Sequence, residues 1–201
     1  MDIKELKKSY STKKKEIQER LNEFKSLKEK EHEKEFLFCT LTPQSNAQRC
    51  WEAVEQISRL KDFTDDKIKS ILKTKTRFHN NKTYYLLHNK KMWNKIKLIL
   101  KQDNIKELRN WLADNVKGYG LKEASHFLRN IGKSDNKIAI LDRHILRNLK
   151  ELEAIKDIKI KSRKDYLEKE QNFIEFSKKI GIPIDELDLL FWSEENGKIF
   201  K

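Results

Sequence analysis

The order of apolar and polar residues along the chain predicts a succession of helices. Apolar side chains recur at spacings of three and four residues, which places them on one face of an α-helix. No segment shows a pattern that favours a strand. The pattern predicts an all-α fold, with helices over about residues 1–31, 45–60, 64–72, 80–101, 103–115, 121–131, 141–155, 162–180 and 183–197 and a further buried helix end at 36–39.

Polar and helix-breaking residues mark several helix boundaries. Ser11 and Thr12 are a candidate break within the first helix. Residues 40–46 form a polar turn, in which Pro43 ends one helix and Thr42 or Ser45 caps the next. Trp51 and Trp111, which lie in later helices, are expected in the core.

Composition agrees with this pattern, because only 5 glycines and 2 prolines interrupt the 201 residues. A chain of this length forms one sizeable domain or two small lobes that share a core. The two cysteines, Cys39 and Cys50, are too few for a four-cysteine zinc or iron–sulfur site. We expect both to be buried, reduced thiols.

The charge balance indicates a polyanionic partner. Lys and Arg number 45 against 32 Asp and Glu, which gives a formal net charge of +13 and a pI near 9.5. Nucleic acid is the partner that this excess favours, although a Lys-rich soluble protein has the same composition. The sequence contains neither an apolar run of membrane-spanning length nor an apolar signal core at its start. We therefore expect an intracellular protein with no membrane partner.

A short turn that contains two glycines separates two of the predicted helices. It reads Lys117-Gly118-Tyr119-Gly120, and with its helices it spans about residues 104–131. Glycine permits positive φ and a close approach of the backbone to a ligand. The N–H groups that begin the second helix would then form an anion site. The glycines alone fit equally well with an ordinary turn between packed helices.

A lysine and an aspartate near this turn suggest chemistry. Lys122 stands at the mouth of the turn, where it is either a phosphate contact or a nucleophile. A nucleophilic amine must be neutral, and burial or a nearby positive charge would favour that form. Asp142 could receive the proton of Lys122, or it could stabilise positive charge as a glycosidic bond breaks.

The runs 118–130 and 140–144, GYGLKEASHFLRN and ILDRH, resemble the helix-hairpin-helix DNA glycosylase superfamily. More narrowly, they resemble the short prokaryotic (type 2) 8-oxoguanine DNA glycosylase/AP lyases. The resemblance includes residues 41–46, Trp51 and 192–201, and it is weakest over the first thirty residues. It implies a single bilobal all-α domain of residues 1–201 around a DNA-binding cleft, with the hairpin at about 104–131 and the aspartate strip at 140–146.

The resemblance implies roles for residues around the hairpin. Lys122 would be the nucleophile that forms a Schiff base, and Asp142 would be the catalytic aspartate. The DNA backbone would be held by Gly118, Gly120 and His144. The implied activity is excision of 8-oxoguanine from duplex DNA followed by β-elimination at the abasic site. The enzyme would act as a cytoplasmic monomer, and no metal or redox cofactor would take part.

Three further residues are implied in recognition of the base. In the type 2 branch a terminal lysine, here Lys201, helps to distinguish 8-oxoguanine from guanine. The oxidised base carries an N7–H donor where guanine has only an acceptor, and a carboxylate can accept from that donor. Trp192 and Phe78 match aromatic positions near the base pocket. The alternatives are a solvated tail for Lys201 and core packing for the two aromatic residues.

Three other functions remain compatible with parts of the sequence. A non-catalytic helix-hairpin-helix DNA-binding protein would share the charge and the turn but would not need Lys122 with Asp142. A glycosylase of the same superfamily could act on another damaged base. A helical protein-interaction scaffold would explain the charged first helix but not the hairpin.

Overall fold

A computed structural model describes residues 2–201, apart from the side chain of Asn196. These residues form helices joined by turns, and no strand occurs among them, so the predicted all-α class is confirmed. The helices are α1 (Ile3–Ser26), α2 (Glu29–Leu41), α3 (Ala47–Ser58), α4 (Asp65–Lys75), α5 (His79–Ile99), α6 (Ile105–Asn115), α7 (Leu121–Asn130), α8 (Arg143–Glu151), α9 (Arg163–Ile180) and α10 (Ile184–Asn196).

The chain divides into two compact units. The hairpin unit is Leu27–Phe127 and contains α2 to α6 with the first part of α7. The terminal unit contains the described residues up to Ser26 together with Leu128–Lys201, and therefore α1, the end of α7 and α8 to α10. Each unit has its own buried residues, and each is described separately below.

The core of the hairpin unit forms around α2, because the second half of that helix is mostly apolar and is buried on every side. The Phe36 ring lies 5.3 Å from the Trp93 ring, 5.3 Å from the Tyr119 ring and 5.5 Å from the Phe127 ring. The Tyr119 hydroxyl also donates to the Phe36 carbonyl at 2.9 Å. These contacts attach the turn that contains Tyr119 to the core of the hairpin unit.

The core of the terminal unit forms around α10, which packs against α1, α8 and α9. The Phe173 and Phe191 rings lie 6.2 Å apart in this core. A buried ion pair joins Arg129 to Asp188 at 2.9 Å. A buried pair of this kind fixes geometry more than it adds stability, because both charges lose their hydration. It holds the end of α7 against α10.

The beginning of the chain differs from the sequence prediction. Helix α1 continues through Ser11 and Thr12, whose hydroxyls donate to the Lys8 carbonyl at 2.7 and 3.2 Å. Such bonds satisfy the hydroxyls within the helix, so these residues do not break it. The break falls instead at residues 27–28, before α2.

Two other boundaries also differ. Asn46, rather than Thr42 or Ser45, caps α3 by accepting from the Arg49 N–H at 3.0 Å. Helix α8 covers Arg143–Glu151 rather than 141–155, because Asp142 is its N-cap and Glu153 takes a left-handed φ of 56° just after its end.

The burial of the cysteines agrees with the prediction, whereas that of two tryptophans does not. Cys39 and Cys50 are buried free thiols. Trp51 and Trp111 are only half-buried rather than core residues. Trp51 covers the edge of the core by packing against Phe38, with ring centres 5.7 Å apart. Trp111 lies beneath the Lys95 ammonium, 5.4 Å from its ring centre.

Candidate functional site

The turn of the hairpin is held in place by Asn89 of α5. The Asn89 side chain donates to the Lys117 carbonyl at 2.9 Å and accepts from the Lys117 N–H at 3.1 Å. The next residue, Gly118, has a φ of +80°, and a Cβ atom added there would lie 2.5 Å from the Tyr85 ring. Both the left-handed backbone and the close ring require glycine at this position.

Gly120 does not have the positive φ that the sequence analysis allowed for both glycines. It directly precedes α7, and its N–H donates to the Glu123 carboxylate at 3.0 Å. A glutamate three residues into a helix commonly reaches back in this way. A phosphate at the start of α7 would therefore meet the Gly120 N–H already bonded to Glu123.

Lys122 lies in the first turn of α7, and its side chain is 24% exposed. Its Nζ lies 3.0 Å from the Glu123 Oε1. The Glu123 carboxylate thus contacts both the turn and Lys122. A half-buried amine at the mouth of the turn can be reached by a ligand and is also partly removed from water, as a nucleophilic lysine requires.

Lys82 is a buried cation that the sequence analysis did not identify. It is 3% exposed, and its Nζ donates to the Leu41 carbonyl at 2.6 Å, the Pro43 carbonyl at 2.9 Å and the Ser45 hydroxyl at 2.7 Å. The Leu41 oxygen lies at the end of α2, and the other two oxygens belong to the turn between α2 and α3. Lys82 therefore holds the polar turn, for which the sequence predicted only that it ends one helix and caps the next.

A sequence signal for Lys82 was available. The buried face of α5 contains Lys82, Leu86, Asn89, Trp93 and Ile96, at spacings of four and three residues. A lysine and an asparagine on the apolar face of a helix must find hydrogen-bond partners in the core. Both of them hold turns of the hairpin unit, Lys82 the turn before α3 and Asn89 the turn before α7.

Lys82, Lys122 and Cys50 influence one another electrostatically. Burial lowers the pKa of Lys82 to about 8; the thiolate form of Cys50 opposes this shift and the Lys122 charge adds to it. Burial raises the pKa of Cys50 to about 11, although both lysines act in the opposite direction. The surroundings of Lys122 thus include a second, buried ammonium group.

In the terminal unit, Asp142 lies just outside α8 as its N-cap, not within the helix as predicted. Its Oδ1 accepts from the His144 N–H at 2.8 Å and from the Ile145 N–H at 2.9 Å. These two bonds fix the orientation of the carboxyl group. The His144 Nδ1 lies 3.1 Å from the Glu195 Oε1 of α10, so a phosphate contact by His144 would have to compete with that carboxylate.

The two aromatic residues expected near a base are placed differently from each other. Phe78 is 54% exposed and has a left-handed φ of 57° at the start of α5, which rules out core packing for this residue. The Arg77 guanidinium lies 5.9 Å from its ring centre. Trp192 is half-buried in α10. An exposed aromatic residue in a strained backbone conformation is typical of a binding position.

Lys201 is buried, with 5% exposure, and is therefore not part of a solvated tail. Its Nζ lies 5.8 Å from the centre of the Phe24 ring of α1. The preceding residue is held as well, because the Arg20 Nε donates to the Phe200 carbonyl at 2.6 Å. The expected site residues fall into two sets: Phe78, Gly118, Gly120 and Lys122 in the hairpin unit, and Asp142, His144, Trp192 and Lys201 in the terminal unit.

Across residues 2–201, no three His, Cys, Asp or Glu side chains converge as metal ligands would. Within the same residues, none of the helices has both the length and the apolar character that a membrane crossing needs.

Sequence similarity to known proteins extends over nearly the whole chain. The family model for 8-oxoguanine DNA glycosylase matches residues 17–182. An 8-oxoguanine DNA glycosylase/AP lyase of Fusobacterium nucleatum is 40% identical over 210 residues, which cover 98% of this chain and 96% of that protein. A protein of the same name from Methanocaldococcus jannaschii is 36% identical, over 92% of this chain and 91% of its own length.

Solved structures show the same similarity. The 8-oxoguanine glycosylase/lyase of Methanocaldococcus jannaschii in complex with a 15mer DNA containing 8-oxoguanine has a TM-score of 0.89 and 35% identity, and the match covers 99% of each chain. The 8-oxoguanine DNA glycosylase of Thermotoga maritima has a TM-score of 0.86 and 31% identity, over 99% of this chain and 98% of that chain. With sequence, fold and family model in agreement, the chain belongs to the 8-oxoguanine DNA glycosylase family.

Proposed function

We propose that this protein excises 8-oxoguanine from duplex DNA and then cleaves the strand at the resulting abasic site. The observation that carries the proposal is the half-buried Lys122 at the mouth of the hairpin turn, within electrostatic influence of the buried Lys82. The relatives' shared name, 8-oxoguanine DNA glycosylase/AP lyase, supports both activities. We further propose that the enzyme acts as a monomer in the cytoplasm.

In the proposed reaction the neutral Lys122 Nζ attacks C1′ of the damaged nucleoside. The C1′–N9 bond breaks, and the oxidised base leaves with the bonding electrons and takes up a proton. The sugar ring then opens as O4′ gains a proton, and an imine joins Lys122 to C1′. Removal of a proton from C2′ breaks the C3′–O3′ bond, so that the strand is cut 3′ to the lesion.

The surroundings of Lys122 support its role as the nucleophile. Two nearby ammonium groups repel each other, and this repulsion is one of the causes that lower the pKa of Lys82. Because the repulsion is mutual, a charged Lys82 favours the neutral amine at Lys122, whereas the Glu123 carboxylate, 3.0 Å from the Lys122 Nζ, favours the charged form. Its three bonds to the turn between α2 and α3 keep Lys82 in this place.

We assign Asp142 the stabilisation of positive charge that develops on the sugar as the base leaves. Its carboxyl group is oriented before substrate binds, because two backbone N–H groups donate to Oδ1. Charge stabilisation by a group that is already oriented requires no reorganisation during the reaction. Gly118, Gly120 and His144 are proposed contacts to the DNA backbone. Lys201, Trp192 and Phe78 are proposed contacts to the extruded base.

Borohydride trapping on 8-oxoguanine duplex tests the nucleophile directly. The wild-type protein should give a covalent adduct, and Lys122→Gln should give none while its duplex affinity stays within about threefold, because one phosphate contact at most is lost. Lys117→Gln is the matched control, since Lys117 is an exposed lysine of the same turn. It should trap at nearly the wild-type rate.

The same assay separates the alternatives. Undiminished trapping by Lys122→Gln would remove Lys122 from the mechanism. Absence of any adduct with the wild-type protein, together with tight duplex binding, would instead identify a non-catalytic DNA-binding protein. A panel of duplexes that carry other damaged bases tests which lesion is the substrate. Preferential trapping on one of them would identify that base, rather than 8-oxoguanine, as the substrate.

A further inference from the structure

Residues 197–201 are attached to α1 by Arg20. The Arg20 Nε donates to the Phe200 carbonyl at 2.6 Å, and the guanidinium carbon lies 4.7 Å from the centre of the Phe24 ring. Arg20 also forms an ion pair with Glu23 one turn along the helix. A guanidinium that stacks on a ring and donates in its own plane keeps one orientation. Arg20 thereby fixes the backbone immediately before Lys201.

The Phe24 ring is shared by three cations of the terminal unit. Besides Arg20, the Arg129 guanidinium lies 5.2 Å and the Lys201 Nζ 5.8 Å from its centre. Ring faces attract cations, and the attraction is strongest where water is excluded, as it is around the buried Phe24. The negative charge of Asp188 balances Arg129, and that of Glu23 balances Arg20. Lys201 is thus held in a defined position against the buried Phe24 ring.

We propose that Arg20 is a positioning residue for base recognition, because it holds the Phe200 carbonyl and thereby sets the place of Lys201. The inference rests on the base-reading role proposed above for Lys201. Arg20 itself touches no base and no reacting atom in this assignment. Its effect should therefore appear in the choice between bases and not in the chemistry at the sugar.

Selectivity is sensitive to such positioning. The choice between 8-oxoguanine and guanine is a difference between two interaction energies, and it depends on a single N–H donor at N7. A reading group that moves by about 1 Å loses the hydrogen bond on which that difference depends. Loss of the charged hydrogen bond from Arg20 should therefore lower selectivity about tenfold.

A double-mutant cycle tests the inference with four proteins: the wild type, Arg20→Ala, a deletion of Lys201, and both changes together. Selectivity is the ratio of single-turnover excision rates on duplexes with 8-oxoguanine and with guanine at one position. Arg20→Ala and the deletion should each lower this ratio about tenfold. The double variant should equal the deletion alone, since Arg20 acts only through Lys201.

Two controls separate positioning from general damage. Trapping on a duplex with a preformed abasic site needs no base recognition, and Arg20→Ala should keep it within about twofold of the wild-type level. Lys15→Ala alters an exposed lysine of the same helix and should change neither readout. Arg20→Lys should behave like Arg20→Ala, because an ammonium keeps the charge but loses both the stacked plane and the Nε donor.

Several results would overturn the inference. A wild-type ratio in Arg20→Ala would do so, as would a parallel loss of selectivity and abasic-site trapping, which would mean that Arg20 only supports the fold. Full additivity of the two changes would show that Arg20 acts independently of Lys201. If the deletion leaves the ratio unchanged, the base-reading role of Lys201 fails and this inference fails with it. Excision through Lys122 would still stand on its own trapping test.

Discussion

Asp142 combines a structural role and a proposed chemical role in one side chain. The amide of asparagine has the oxygen that an N-cap needs but lacks the negative charge proposed to stabilise the sugar. Asp142→Asn should therefore slow base release at least about 100-fold, while the midpoint of thermal unfolding stays within about 2 °C. Single-turnover excision of 8-oxoguanine and a thermal melt measure the two effects separately.

Asp142→Ala is the companion variant, because it removes the cap as well as the charge. It should lose a similar factor in rate and, in addition, about 1 kcal/mol of stability, since two N–H groups of α8 lose their acceptor. Near-normal excision by Asp142→Asn would show that Asp142 is a cap and nothing more.

The hairpin turn depends on a glycine for two separable reasons. Gly118→Ala would introduce a Cβ atom at a φ of +80° and 2.5 Å from the Tyr85 ring. Backbone strain and displacement of a packed ring should together destabilise the protein by about 2–4 kcal/mol. Gly181→Ala is the matched control, because Gly181 has a φ of +76° but no atom within 4 Å of the added Cβ.

The control should lose only about 1 kcal/mol, the strain of the left-handed backbone alone. Urea denaturation of the two variants beside the wild type measures the difference. Equal losses at both positions would mean that Tyr85 moves aside at little cost in free energy and that the ring does not define the turn.

The Lys82 ammonium attaches the turn between α2 and α3 to α5, and its contribution to stability depends on pH. Burial lowers the folded pKa of Lys82 to about 8 from its ordinary value of 10.5. Above about pH 8 the folded protein releases this proton while the unfolded chain retains it, so the contribution of Lys82 to stability rises with pH. Below that pH Lys82 is charged in both states, and its contribution is constant.

Lys82→Met isolates this contribution. The variant should be less stable than the wild type by about 1–3 kcal/mol at neutral pH, because three oxygens of the turn lose their donor. The deficit should grow between about pH 7.5 and about pH 9. Denaturation curves at both values measure it. A deficit that shrinks with rising pH would contradict the lowered pKa of Lys82.

The helices could be predicted from the sequence more fully than the hydrogen bonds that join them to the turns. Apolar spacing predicted the helices, since each buries one face, and the hairpin run drew attention to Lys122. The apolar face of α5 indicates that Lys82 is buried, but the sequence cannot identify its partners, Leu41 O and Pro43 O, because they are backbone atoms some forty positions away. The position of Asp142 as a cap depended on where α8 begins, which is the least certain part of such a prediction.

For the molecule as a whole, the formal net charge of +13 predicts affinity for DNA and says nothing about catalysis. Lysines that contact phosphates displace counterions, so the logarithm of the affinity should fall linearly with the logarithm of the salt concentration. A fourfold rise in salt should weaken binding to undamaged duplex by about 10-fold or more if several phosphates are contacted.

The preference for 8-oxoguanine should respond to salt much less than the affinity does. Phosphate contacts are the same on damaged and undamaged duplex, whereas the base is read by hydrogen bonds and stacking inside the protein. Fluorescence anisotropy titrations on the two duplexes at several salt concentrations should therefore give parallel lines. Lines that converge as salt rises would mean that the selectivity itself depends on exposed charges, and base recognition would then have to be sought on the surface rather than at the buried Lys201.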